Sequence, residues 1–87
     1  MKFKKNEFIS ESRFDDVLIV EINDRIHIFN SIAQIIYDNC EKMSIDEICS
    51  FIKNLDISEK PSDDIIINDI NITIAKMISE HIIQVVN

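Results

Sequence analysis

The chain has 87 residues, enough for one small domain, because chains of this length bury only about 60–65% of their unfolded surface and cannot sustain two cores. Sixteen acidic residues against nine basic ones give a net charge of −7, which opposes the phosphate neutralisation on which nucleic-acid affinity rests. Hydrophobic residues make up 46% and charged residues 29%, no run approaches the roughly 20 apolar residues of a membrane helix, and no apolar stretch follows the basic start to make a secretory signal. A large enzyme and a membrane-spanning helix are excluded, nonspecific DNA binding is disfavoured, and the cytoplasm is the expected location.

The first half reads as strands. Glu7 to Arg13 carries Phe8 and Ile9 in a polar setting and predicts a weak first strand, closed by a turn at Phe14-Asp15-Asp16. Val17 to Ile22 is mostly β-branched and Arg25 to Phe29 alternates, so the two predict a hairpin around Asn23-Asp24. A two-residue loop puts Ile19, Ile26 and Ile28 on one face and Leu18, Val20, Ile22 and Phe29 on the other. Both faces are apolar, and only one can meet a helical layer this small.

At Asn30 the period changes. Asn30 or Ser31 can cap a helix in which Ile32, Ile35, Ile36 and Cys40 recur at three and four; Ser31 with Gln34 fits a capping box, and the helix runs to about Glu41. Ser44, three before Glu47, is the stronger capping box and opens a second helix carrying Ile45, Ile48 and Ile52, which ends near Asn54. Asp56 to Ser62, with Pro61, is a connecting loop. Ser62-Asp63-Asp64 then offers a cap and two acids to the positive end of a third helix that reaches Glu80. With no glycine in the chain, asparagine or lysine is expected at the tight turns. The predicted fold is α+β: a three-stranded antiparallel sheet followed by three helices, one domain over 1–87.

Nothing in the sequence assembles a catalytic constellation. Cys40 and Cys49 lack CxxC spacing and lie far from His27 and His81, so they read as buried, reduced thiols; no metal site, no cofactor and no enzyme activity are expected. The pairs Asp15-Asp16, Asp46-Glu47 and Asp63-Asp64 stand at turns or helix starts, where carboxylates cap and answer the helix dipole. His27, between two isoleucines, fits a solvated or partly covered strand face. The third helix says more. Ile66, Ile67, Ile70, Ile74, Met77 and Ile78 gather within about 120° as a core stripe, while Ile65 and Ile72 fall on another side beside Asn68, Ala75 and Ser79. That second strip is a candidate docking groove.

From Asp16 onward the chain resembles the PqqD-like family of peptide-binding domains, also called RiPP recognition elements. The hairpin Val17 to Phe29 leads into Phe29-Asn30-Ser31-Ile32-Ala33, which is similar to the family's hydrophobic-Asn-x-x-Ala entry to its first helix. Ser44-Ile45-Asp46-Glu47-Ile48 resembles its Thr-x-x-Glu-Ile opening of the second helix. Asp69-Ile70 with Ile74 and Met77 resembles the Asp-Val-x-x-Phe-Leu-x-x-Leu of the third, and Ile82-Ile83 would be the short closing segment. The family usually places glycine between helices one and two and again after helix three, where this chain has Lys42 or Met43 and His81.

The resemblance implies a winged helix-turn-helix-like domain that binds the leader segment of a ribosomally made precursor peptide. It would present that leader to a separate maturase, such as a radical enzyme, a cyclase or a leader peptidase, as in pyrroloquinoline quinone or lasso-peptide biosynthesis. In that family the leader adds as a strand and packs against the third helix. Carried over, the strand edge is Arg25, Ile26, His27, Ile28 and Phe29, and the opposing wall is Ile65, Asn68, Ile72 and Ala75. Ordering an extended leader costs about 1–2 kcal/mol per residue, and each backbone hydrogen bond returns about 0.5–1.5. Two or three apolar anchors at about 1.5–3 kcal/mol each must therefore carry the affinity. The acidic field predicts a partner rich in lysine or arginine. Two rivals share the architecture: a winged-helix DNA-binding regulator, which the acidic second helix opposes, and a homodimer that buries Ile65 and Ile72 against a second copy.

Overall fold

The computed structural model describes residues 2–15, 17–55 and 62–86. In chain order the elements are β1 (Lys2–Lys5), β2 (Ser10–Phe14), β3 (Val17–Ile22), β4 (Arg25–Phe29), α1 (Ser31–Asn39), α2 (Ile45–Lys53), α3 (Asp63–Ser79) and β5 (Ile83–Val86). The fold is α+β, with an antiparallel sheet of order β2-β3-β4, three helices, and a separate two-stranded pairing of β1 with β5.

Strands β3 and β4 form the expected hairpin. Asn23 and Asp24 sit at φ 52° and 62°, the left-handed values a two-residue type I′ turn demands, and their short polar side chains tolerate that region. The register pairs Ile22 with Arg25, Val20 with His27, Ile19 with Ile28, and Leu18 with Phe29. Leu18, Val20, Ile22 and Phe29 are therefore buried beneath the helices, whereas Ile26 and Ile28 are 67% and 70% exposed on the opposite face. Strand β2 runs from Ser10 to Phe14, displaced from the expected Glu7 to Arg13, and it pairs Phe14 with Val17. Phe14 is thus a strand residue, and the turn turns at Asp15, φ 52°. Arg13 holds Asp38 of α1 by two hydrogen bonds of 2.6 and 3.3 Å, tying β2 to the helical layer. The expected loop at Asp56 to Pro61 lies outside the described residues.

Each helix begins on a polar cap. Asn30, rather than Ser31, caps α1: its side chain accepts from Ala33 N at 2.9 Å. Gln34 Nε2 donates to the Phe29 carbonyl at 3.3 Å, and α1 stops at Asn39, short of Glu41. The Ser44–Glu47 box forms in both directions, each bond 3.2 Å. Ser62 occupies the cap position of α3 but makes no side-chain hydrogen bond there, so the carboxylates of Asp63 and Asp64 are what answer the helix dipole.

The termini hold a finding the sequence did not announce. Strand β1 has one apolar residue, Phe3, which is buried, and three lysines, too short a pattern to read as a strand. It pairs antiparallel with β5, Lys2 opposite Val86 and Lys5 opposite Ile83. Asn6 locks the junction: its N–H donates to Ile82 O at 3.0 Å, its Nδ2 to His81 O at 2.8 Å, and its Oδ1 accepts from Phe8 N at 2.8 Å. Helix α3 ends in a Schellman motif. Ile82 N donates to Met77 O at 2.8 Å and His81 N to Ile78 O at 3.1 Å, with His81 at φ 62° where glycine is usual. Aspartate and histidine thus join asparagine at the left-handed positions among the described residues, and Lys42 is not among them.

One core joins these pieces. Leu18, Val20, Ile36, Tyr37, Ile48, Ile52, Ile70, Met77 and Ile83 lie within a single buried cluster. Phe29 and Tyr37 pack with ring centroids 5.8 Å apart, and Lys5 Nζ sits 4.4 Å from the Tyr37 ring centre, bringing β1 onto α1. Cys40 and Cys49 are buried and free within this core. Burial pushes the Cys40 thiol up to about 11 and raises Cys49 as well, so both are neutral at physiological pH.

Candidate functional site

In the order β2-β3-β4, β4 is an edge strand. A two-residue hairpin makes Ile22 and Arg25 a hydrogen-bonded pair, so the backbone groups of Arg25, His27 and Phe29 turn toward β3. Those of Ile26 and Ile28 turn outward, toward α3's side of the sheet edge, with no strand to receive them among the described residues. Such an edge is a template for another strand.

Between that edge and α3 lies a groove of about 410 Å3. Ile26, His27, Ile28 and Phe29 form one wall, Ile72, Thr73, Lys76 and Met77 the other, and Asn30 and Ala33 close the end where α1 begins. Phe29, Ala33 and Met77 are buried, so an apolar side chain descending here reaches the core. Ile72, at 58% exposure, stands on the open wall. A larger depression of about 650 Å3 lies by Asn6, Phe8, Ile78 and β5. Only Ile83 of its lining is buried, and one side is a short turn rather than a regular element, so it offers an extended chain less buried apolar surface than the groove beside β4.

Charge is distributed unevenly along the groove. At one end Arg25 Nη1 lies 3.0 Å from Glu80 Oε2, bridging β4 to the residue that caps α3. His27 turns to the helical side with a side chain only 13% exposed; its Nε2 is 3.8 Å from the same Glu80 oxygen and has no hydrogen-bond partner among the described residues. Lys76, one helical turn before Glu80, makes no ion pair and no side-chain hydrogen bond among the described residues.

Compared with family models, curated proteins and solved structures, the chain matches none.

The nine residues read from the sequence divide by position. Ile26, His27, Ile28, Phe29 and Ile72 line the groove together, and Arg25 stands at its end in the bridge to Glu80. Ile65, Asn68 and Ala75 are exposed on α3 and do not line it. Helical phase explains the division: at about 100° per residue, Thr73, Lys76 and Met77 turn one way from Ile72, and Asn68 and Ala75 turn the other. Ile65 shares Ile72's side but lies two turns toward the start of α3. The residues the sequence reading passed over are Asn30, Ala33, Thr73, Lys76 and Met77. Asn30 and Ala33 stood in the quoted entry to α1, and Met77 was assigned to the core, where it is also buried. Lys76 carried a signal of its own, the one cation of α3, four residues after the exposed Ile72.

The groove offers backbone donors and acceptors from Ile26 and Ile28, an apolar floor, and an ammonium group. Its lining holds no thiol and no carboxylate.

Proposed function

We propose that this chain is a non-catalytic, winged-helix-like domain that binds an extended peptide segment by strand addition to β4 and packs it against α3. The observation that carries the reading is the groove itself: an unpaired edge and a helix wall stand on either side of a floor that opens onto the core. Strand pairing alone about breaks even against the entropy of ordering the peptide. The seats at Ile72 and over Phe29, Ala33 and Met77 supply the apolar burial that makes the balance favourable.

The ligand is the leader of a ribosomally synthesised precursor, presented to a separate modifying enzyme or leader peptidase. This follows the resemblance of the hairpin, the Asn30 to Ala33 entry and the Ser44 to Ile48 helix start to PqqD-like domains, and it is supported by the coincidence of the family's binding edge with the groove beside β4. The test is calorimetric titration with the N-terminal segment of a short precursor encoded beside this gene, using wild type, Ile72→Asp and Ile28→Pro. Loss of binding in both variants with unchanged melting temperature supports the proposal. Equal affinity in all three overturns it, and a dimeric mass that Ile72→Asp converts to a monomer would assign the groove to a second copy instead.

A further inference from the structure

Whatever occupies the groove meets Lys76, and the surroundings of Lys76 are unusual for a chain of net charge −7. On a helix the natural partner of Lys76 is the acid four residues away, Glu80. That carboxylate is instead turned to Arg25 at 3.0 Å, with His27 Nε2 3.8 Å from the same oxygen. The remaining acid on this side of α3, Asp69, is two helical turns back, about 10 Å along the axis. The exchange leaves an ammonium group facing the groove without a counter-charge among the described residues.

We infer that the groove selects an extended segment carrying an Asp or Glu side chain opposite Lys76, beside an apolar residue that descends over Met77. The inference rests on the peptide-binding reading and deepens it. It also divides the electrostatics by distance. The net acidic field favours approach of a segment that is basic elsewhere, but at the groove wall contacts lie well inside the Debye length of about 8 Å, where Lys76 decides. Arg25 is a positioning residue in this scheme, because by holding Glu80 it keeps Lys76 available.

The experiment is selection of a displayed library of short random peptides against the full chain, repeated with Lys76→Glu, Lys76→Gln, Ile72→Asp and Ile28→Pro. Melting temperatures confirm that each variant is folded. Wild type is expected to enrich an acidic residue at a fixed spacing from an apolar one, and Lys76→Glu to replace that acid by Lys or Arg. Synthetic Asp and Asn versions of a selected peptide should differ in affinity by about two- to fivefold on wild type and not on Lys76→Gln. Binders that need Ile72 and Ile28 but show no acidic enrichment overturn the Lys76 inference alone. Binders indifferent to Ile72→Asp and Ile28→Pro, or no binders at all, overturn the peptide-binding reading beneath it.

Discussion

Arg25 at the start of β4 and Glu80 at the end of α3 are joined across the groove end, Nη1 to Oε2, at 3.0 Å. Arg25 is largely exposed, so the bridge contributes at most about 1 kcal/mol to stability, and Arg25→Gln should leave the melting temperature nearly unchanged. Its effect should fall on selectivity. Released from Arg25, Glu80 can turn to Lys76 one turn away and weaken the preference for an acidic peptide over its Asn counterpart, measured by calorimetry. An undiminished preference would show that Arg25 does not position Glu80.

The two sides of α3 should respond oppositely to the same substitution. Ile70 is fully buried in the core, and Ile70→Ala should cost about 2–5 kcal/mol in urea unfolding. Ile70→Asp should not fold, whereas Ile72→Asp should unfold at a urea midpoint close to wild type, since Ile72 is already mostly in water. A folded Ile70→Asp protein would mean that the helix is phased differently.

His81 holds φ 62° at the Schellman turn after α3. A β-carbon there is crowded against the following carbonyl, so His81→Gly should stabilise the chain by about 0.5–1 kcal/mol once glycine's greater unfolded freedom is set against the relief. The urea midpoint should rise with no change in its slope. A fall would mean that the His81 side chain makes a stabilising contact.

Stability should decline in alkali. Burial raises the Cys40 thiol from 9.0 to about 11, and it also raises Cys49 and the Tyr37 phenol. In each case the folded chain holds the proton more tightly than the unfolded one, so the stabilisation is complete below about pH 9 and is lost as pH rises through the folded value. Urea midpoints should be flat from pH 7 to 8.5 and fall toward pH 11, and Cys40→Ala should flatten that fall. A midpoint independent of pH, or one that rises, would contradict the burial of these groups.

How far the sequence could be read depended on how local the determining signal is. Leu18, Val20, Ile22 and Phe29 declared the buried face of the hairpin because alternation and a two-residue Asn23-Asp24 turn are local facts. Ser44 and Glu47 declared the start of α2 for the same reason. Strand β1 was invisible because Phe3 is its only apolar residue and its partner, β5, lies at the other end of the chain. Ile72 was legible as an exposed apolar residue on a helix whose core stripe lies elsewhere. Thr73 carried no such mark, and Lys76, although the one cation of α3, could not be placed on the groove wall, because the direction of that wall is set by how α3 lies against β4, a tertiary fact that periodicity along one helix does not contain.

The central claim is that an extended segment adds to the outer edge of β4. Amide hydrogen exchange followed by NMR, with and without a peptide selected against the intact chain, tests it most directly. The outward-facing amides of Ile26 and Ile28 should exchange readily in the free protein and become strongly protected in the complex, while the amides of Arg25, His27 and Phe29, already engaged with β3, change little. Protection that appears instead around Phe8 and Val85, or nowhere on β4, would contradict the account.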